Sequence, residues 1–204
     1  MSSYSNPAIP IPSNPVFIDA VVADLQTYLG TNLSWLTHSF GRSYLKVTDQ
    51  AGEEFREPAV YQGGSSGEML SMYFNDNLQA QSFFEVGDQE VIDFEKNVLN
   101  WYEVELGLIF WVNLKKIDSV KSLTYYFAED LKKDVRNLLS NDVPGLAVNR
   151  SRLGYKLEIE SIEEGIDNIY SKYTFDQKTK QYFRYPYAGF KFNLLVTLQE
   201  DCTP

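Results

Sequence analysis

The run from Trp101 to Leu114 constrains the fold more than any other part of the chain. Side chains of a β-strand alternate between two faces with a period of two. One face of this run is apolar throughout: Tyr102, Val104, Leu106, Leu108, Phe110, Val112 and Leu114. A helix would scatter these residues around its circumference. We therefore expect the central antiparallel strand of a sheet, with one face on a core and the other partly wet or covered by a neighbour.

Two amphipathic helices are predicted on either side of this strand. The first uses Asn14 as its N-cap and Pro15 as its first position, and Gly30 is expected to end it. The second is expected from Asp118 or Ser119 to about Ser140. Its predicted apolar stripe is Val120, Leu123, Phe127, Leu131, Val135 and Leu138.

The rest of the chain favours strands separated by turns. Strands are expected at Ser43–Val47, Phe55–Tyr61, Glu68–Phe74, Ser82–Val86, Tyr155–Ile159 and Phe190–Leu198. Pro58 suggests an edge position or a bulge. Residues 90–99 fit either a helical turn or a strand, and a short helix is expected between Ile162 and Tyr170.

These elements predict an α+β fold, with an antiparallel or mixed β-sheet and the two main helices packed on one side. Residues 14–204 would form a single domain, with an inserted β and loop region around 49–87. Residues 1–13 contain three prolines and predict an extended N-terminal arm, either a disordered tail or a segment laid on a neighbouring subunit. Ile9 and Ile11 would then be its anchors.

Charge and composition exclude several classes of protein. The net charge of −10 argues against a protein that grips nucleic acid through a basic face, but not against one that surrounds DNA without binding it. The 14 Tyr, 13 Phe and 3 Trp suit either subunit interfaces or a β-rich core. The single cysteine, Cys202, indicates cytosolic folding. No signal peptide is recognisable and no apolar run approaches the ~20 residues of a membrane span, so no membrane partner is expected.

Chemical motifs are sparse, and we expect no catalytic residue, cofactor or metal. His38 is the only histidine, which disfavours a zinc site or a Ser-His-Asp triad. Glu103 and Glu105 share a strand face with Trp101 and Trp111, an arrangement found in glycosidase clefts and equally on the wet face of a sheet. The segment around Tyr182, Tyr185 and Tyr187 interleaves rings with cations. We favour a subunit contact there over binding of single-stranded nucleic acid.

The order of elements resembles the tail-terminator and neck-ring (tail completion) proteins of tailed bacteriophages. Three stretches carry this resemblance: the helix Pro15–Leu29, the strand YEVELGLIFWVNL with the helix SLTYYFAEDLKKDVRNLLSN, and the ending FKFNLLVTLQ. The region 49–87 is longer than expected for the smallest members.

The resemblance implies a structural virion protein, assembled in the host cytoplasm and located at the phage neck or tail. It would form a homo-oligomeric ring, a hexamer or dodecamer, between portal or adaptor proteins and tail-tube rings. DNA would pass through the acidic lumen without sequence-specific binding. The hypothesised interface residues are Ile9, Ile11, Trp101, Trp111, Tyr182, Tyr185 and Tyr187.

Two alternatives remain open from sequence. One is a carbohydrate- or protein-binding β-rich module of a phage or cell surface, which would use Trp101, Trp111 and Tyr185 as its aromatic platform. The other is a glycoside hydrolase that uses Glu103 and Glu105 as its pair of acids.

Overall fold

The computed structural model describes residues 10–12, 14–50, 52–61, 69–72, 74–95, 99–140, 153–175 and 179–201. The strands are β1 His38–Gln50, β2 Glu53–Tyr61, β3 Met69–Ser71, β4 Ala80–Glu95, β5 Leu99–Asn113, β6 Leu153–Glu164 and β7 Tyr187–Asp201. The helices are α1 Ile18–Asn32, α2 Leu114–Ile117, α3 Phe127–Ser140 and α4 Ile166–Ile169. Short 3-10 turns occupy Lys121–Leu123 and Thr179–Phe183.

All seven strands join one mixed sheet in the order β3-β2-β1-β4-β5-β7-β6. Neighbouring strands are antiparallel except β1 and β4, which run parallel. The predicted central strand is β5, which pairs along its length with β4 and with β7. Because β5 is hydrogen-bonded on both edges, its alternating pattern determines which residues lie on each face of the sheet. This confirms the predicted fold class.

The two long helices pack on the same face of the sheet, as predicted. The main core on this face contains Val21, Leu25 and Leu29 of α1, Leu131, Val135 and Leu139 of α3, and Leu106, Leu108, Phe110, Phe192 and Leu194 of the sheet. The rings of Phe110 and Phe190 stack at its centre, with centroids 5.0 Å apart. Burial of the apolar side chains of this core is the main favourable contribution to folding on this face of the sheet.

The opposite face of the sheet carries a second, aromatic core over part of its length. Phe83, Ile109 and Trp111 of the sheet are buried there beneath residues that follow β6. The covering residues include Ile166, Ile169, Tyr170, Tyr173 and Phe175, with Phe74 from the segment before β4. The mixed face of β5 is therefore divided: its Ile109–Trp111 end is dry, and Glu103 and Glu105 remain exposed.

The start of α1 differs from the prediction. The helix begins at Ile18, and Phe17 is its N-cap residue without a side-chain capping bond, so Asn14 does not cap it. Asn14 and Phe17 both have positive φ angles, 57° and 54°. The Phe17 ring packs edge-on against Tyr102 of β5 at 4.8 Å. The helix therefore begins later than the local capping pattern predicted, next to the residue that packs on the sheet. It also continues past Gly30 to Asn32.

The prediction of one continuous helix from residue 118 to 140 was wrong in its first half. The Asp118 carboxylate accepts hydrogen bonds from the backbone N–H groups of Val120 and Lys121, both at 3.0 Å. These are the bonds of a helix cap, as predicted for Asp118, but they start only the short 3-10 turn Lys121–Leu123, which ends at Thr124 in an extended conformation. The long helix begins only at Phe127, and Val120 and Leu123 are exposed rather than part of its apolar stripe.

The open question at residues 90–99 is answered for the described part: residues 90–95 belong to β4, and Leu99 begins β5. The region predicted as an insertion contributes to the sheet, because it includes β2, β3 and the start of β4. Pro58 lies where the β2–β3 ladder ends, with its carbonyl accepting the Met72 N–H at 2.7 Å. Residues 1–9 and 13 of the predicted arm lie outside the described residues.

Candidate functional site

Trp111, one of the hypothesised interface residues, is fully buried in the second core. Its Nε1–H donates a 2.9 Å hydrogen bond to the Tyr182 carbonyl, and its ring stacks on Tyr187 at 5.3 Å. A side chain without exposed surface is not available on the surface of the chain, either to a neighbouring subunit or to a sugar ring. Trp111 instead fixes the segment around Tyr182 against the sheet.

The three tyrosines of the predicted contact segment differ in exposure. Tyr182 and Tyr187 are partly buried beside Trp111, and the Tyr187 hydroxyl donates to Asp76. Burial, and then the hydrogen bond to Asp76, raises the pKa of Tyr187 to about 12. Tyr185 is 65% exposed, so its ring is available to a partner.

The remaining hypothesised contacts are only partly described. Ile11 is exposed, and its neighbours Pro10 and Pro12 line a cavity of about 300 Å³ together with Val22 of α1 and Tyr44 of β1. Ile9 lies outside the described residues. Trp101 occupies a position in β5 opposite Asp93 and Gln199, and its side chain lies outside the described part of the structure.

A polar groove lies on the uncovered half of the second face, beside β5. Its volume is about 400 Å³, and the charged residues lining it are Glu85, Glu105, Glu160, Glu163, Lys172 and Lys191. Glu103 and Glu105 are both exposed. Glu105 lines the groove, and Glu103 does not. The two predicted acids are therefore not brought together in one cavity.

Glu85 is a buried residue of this groove, and several of the groove's polar contacts meet at its carboxylate. Its buried carboxylate accepts the Tyr173 hydroxyl at 2.6 Å and lies 2.9 Å from Lys172 Nζ and 3.4 Å from Lys191 Nζ. Burial, followed by the charge of Glu85 and this hydrogen bond, raises the pKa of Tyr173 far above its usual range. The two lysines and the Tyr173 hydroxyl thus satisfy the Glu85 carboxylate, and the bond from Tyr173 connects the aromatic residues of the second core to β4.

Gly107 lies directly beneath the Lys191 side chain. A Cβ at this position would come within 2.6 Å of Lys191 Cε, so a larger residue would require the end of the lysine side chain to move. The sequence alone did not reveal Glu85, since a lone glutamate in an apolar strand has no distinctive spacing. The signal that could have found it was its place in SFFEV, where a charge among buried residues demands a partner.

No metal or histidine chemistry is indicated within the described ranges. Among those residues, no group of three or more His, Cys, Asp or Glu side chains is placed to hold a metal ion. His38 is partly buried at the start of β1, with its ring 5.6 Å from Phe40, and burial lowers its pKa. The imidazole is therefore neutral at pH 7.

Two exposed apolar surfaces stand out instead. The hairpin surface consists of Leu45 and Val47, which share one face of β1 and are 51% and 55% exposed, whereas Tyr44, 46% exposed, lies on the other face. The loop surface consists of Val120, Leu123, Tyr125 and Tyr126, which are 76%, 79%, 97% and 47% exposed. Clustered exposed apolar residues mark interaction sites more often than single ones do.

The hairpin surface exists because β1 outlasts its pairing with β4. The β1–β4 ladder ends at Arg42 opposite Phe84, whereas β1 continues to Gln50 and pairs there with β2. Residues 45–50 and 53–58 thus form a two-stranded hairpin beyond both the β1–β4 and the β2–β3 ladders. An isolated two-stranded hairpin is only marginally stable in water, and packing against another surface stabilises it.

No family model, curated protein or solved structure matches this chain. Among the described residues, no helix is long and apolar enough to cross a membrane. The surfaces of the structure, together with the sequence pattern, therefore carry the functional inference.

Proposed function

We propose that this chain is a structural subunit that assembles with copies of itself into a closed ring. The proposal extends to its place in the virion, at the neck or tail of a tailed phage as tail terminator or head–tail connector ring, because the element order resembles those proteins. Its partners would be the portal, adaptor or tail-tube rings on either side. The protein would act by assembly, without catalytic turnover.

The hairpin surface is the single observation that supports this proposal most directly. It places two large apolar side chains, Leu45 and Val47, on one face of a β-hairpin that extends beyond the β1–β4 ladder. Burying each of them against a partner would contribute on the order of 1 kcal/mol, since about half of each side chain is exposed. A second exposed apolar set, the loop surface, provides a further contact area.

The charge of the chain is compatible with a ring around DNA. At a net charge of −10, a channel wall of like charge would repel the duplex and let it pass without sequence-specific binding. This part of the proposal rests on charge and on the resemblance. It predicts that added duplex DNA does not bind to the assembled protein.

The experiment is a measurement of mass by light scattering over a concentration series, followed by negative-stain microscopy of any large species. Closed rings of one symmetry, a hexamer or a dodecamer, are the expected result. A chain that stays monomeric at every concentration, including when mixed with portal and tail-tube rings, would contradict the proposal. Tight binding of duplex DNA would contradict the passive channel.

The sugar-binding alternative loses one of its residues in the structure. It required Trp111 in an exposed aromatic platform, and that ring is buried under Tyr187. Tyr185 remains exposed, the side chain of Trp101 lies outside the described part of the structure, and no described residue completes the predicted platform. We therefore propose no second function.

A further inference from the structure

The hairpin surface and the loop surface lie at opposite ends of the strands. β5 ends at Asn113, next to the start of β7 at Tyr187 and the start of β4 at Ala80, and the loop surface follows from there. β1 begins at this same end, with His38 opposite Gln81, and runs parallel to β4. Its twelve further residues carry the hairpin turn on the order of 40 Å away.

This separation has a direct consequence for packing. A surface at one end of the strands cannot cover a surface at the other end of the same chain. Two different apolar surfaces at opposite ends of the strands are what a head-to-tail contact between copies requires. Such a contact closes into a ring when the rotation between copies closes, and forms a filament when it does not.

The charges beside the two surfaces are complementary. Asp49, Glu53 and Glu54 surround the hairpin turn and are exposed. Lys115, Lys116 and Lys121 flank the loop surface and are also exposed. Each group also contains one opposite charge: Glu54 is paired with Arg56 at 2.8 Å beside the hairpin turn, and Asp118 lies beside Lys121 at the loop surface.

Charge also decides between the two possible kinds of symmetry. A two-fold contact of the hairpin with itself would bring the acids of two copies together, and a loop-to-loop contact would bring lysines together. Both arrangements are repulsive. A hairpin-to-loop contact places acids beside lysines and covers apolar residues on both sides.

We propose that the hairpin surface of one copy docks on the loop surface of the next copy, with the acidic hairpin turn against Lys115, Lys116 and Lys121. This inference rests on the proposed self-assembly and names the two faces that carry it. The contact is heterologous, so each copy uses both faces, and neither face is satisfied in a free chain.

The test is site-directed crosslinking with a short bifunctional thiol reagent in a Cys202→Ser background. One chain carries Val47→Cys, and a second chain of different mass carries Tyr125→Cys. The expected product is a covalent heterodimer in the mixture and little product from either variant alone. Asn137→Cys replaces Tyr125→Cys in the matched control, because Asn137 is exposed on α3 and lies outside the loop surface.

A charge-reversal series provides the second measurement. Lys115→Glu with Lys116→Glu should raise the concentration needed for assembly about tenfold, since two attractive pairs become repulsive. Asp49→Lys with Glu53→Lys should do the same. Mixing the two reversed chains should restore hairpin-to-loop contacts between unlike chains. Lys133→Glu on the exposed side of α3 is the control and should change nothing.

The outcomes separate this contact from the proposed function. Rings that give no Val47–Tyr125 crosslink, or that crosslink through Val47 alone or equally well through Asn137, would overturn the contact and leave the ring. A Val47–Tyr125 crosslink in open filaments would support the contact and overturn the closed ring. A chain with neither assembly nor crosslink would overturn both.

Discussion

Replacing Trp111 with phenylalanine tests whether this residue is a core residue or an assembly contact. The indole is fully buried, and its Nε1–H donates to the Tyr182 carbonyl at 2.9 Å. Phenylalanine leaves that carbonyl without its donor, at a cost of about 1–3 kcal/mol. It also leaves a cavity of roughly 40 Å³, which costs about 1 kcal/mol at 24 cal/mol per Å³. We expect a loss of about 2–4 kcal/mol in the free energy of unfolding.

Urea unfolding followed by far-ultraviolet circular dichroism measures this loss, and a thermal scan should show a fall of roughly 4–16 °C for a chain of this size. Tyr185→Phe is the matched control. Its ring is mostly exposed, so its stability should stay within about 0.5 kcal/mol of the parent. The concentration dependence of assembly should be unchanged in both variants. A Trp111→Phe chain that keeps its stability but no longer assembles would refute the assignment of Trp111 to the core.

Three further predictions follow from particular contacts. Gly189→Ala should destabilise the fold by about 1–3 kcal/mol, because its Cβ would lie 2.6 Å from Ile169 Cδ1; adding Ile169→Val, which removes that methyl group, should recover part of the loss, and no recovery in urea unfolding would contradict this account. Tyr187→Phe should flatten the loss of stability between pH 10 and about 12, because the raised pKa of Tyr187 stabilises the fold below pH 10 and this stabilisation disappears as pH rises through the folded-state pKa; denaturation profiles of equal steepness in both chains would argue against it. Deleting residues 1–13 should weaken assembly without unfolding the subunit, since the arm lacks a core-forming pattern; a melting temperature far below that of the full chain would show that the arm belongs to the fold.

The sheet was the most predictable part of the molecule, and the reason is physical. The period-two patterns of β5 and β7 leave one register that buries every apolar residue on one face, so sequence was sufficient to identify both strands. The same reasoning identified α1 and α3, although it placed the start of α3 too early. It also predicted that both helices lie on one side.

The boundaries that failed were those decided by a few specific bonds. Asp118 accepts hydrogen bonds from the backbone N–H groups two and three residues ahead, as a cap does, yet the turn that follows ends at Thr124, whose backbone is extended. The N-terminus of α1 failed similarly, because Phe17 packs on Tyr102 from across the chain. A capping pattern cannot show a contact between residues that are distant in sequence.

The candidate site was the least predictable part. The hypothesised contacts were two isoleucines of the arm and five aromatic residues, and of these Trp111 proved to be internal. The exposed apolar residues of the proposed contact, Leu45 and Val47, lie in β1. The sequence pattern of this strand does not show whether another part of the chain covers it. That depends on where the β1–β4 pairing ends, which is a property of the tertiary structure.

The surplus of aromatic residues also changes its meaning once the second core is known. Rings that sequence alone could assign equally to core or interface are largely used within the chain: Phe74 alone has ring contacts with Trp111, Tyr170, Phe175, Tyr182 and Phe183. The abundance of aromatics is therefore weak support for assembly, because burial within one chain already accounts for so many of them. Support comes instead from the residues that this burial leaves outside, on the hairpin and the loop. In a self-assembling chain, such residues stay exposed until another copy binds. Because the two surfaces differ and lie at opposite ends, one surface of each copy can bind the other surface of the next, identical copy.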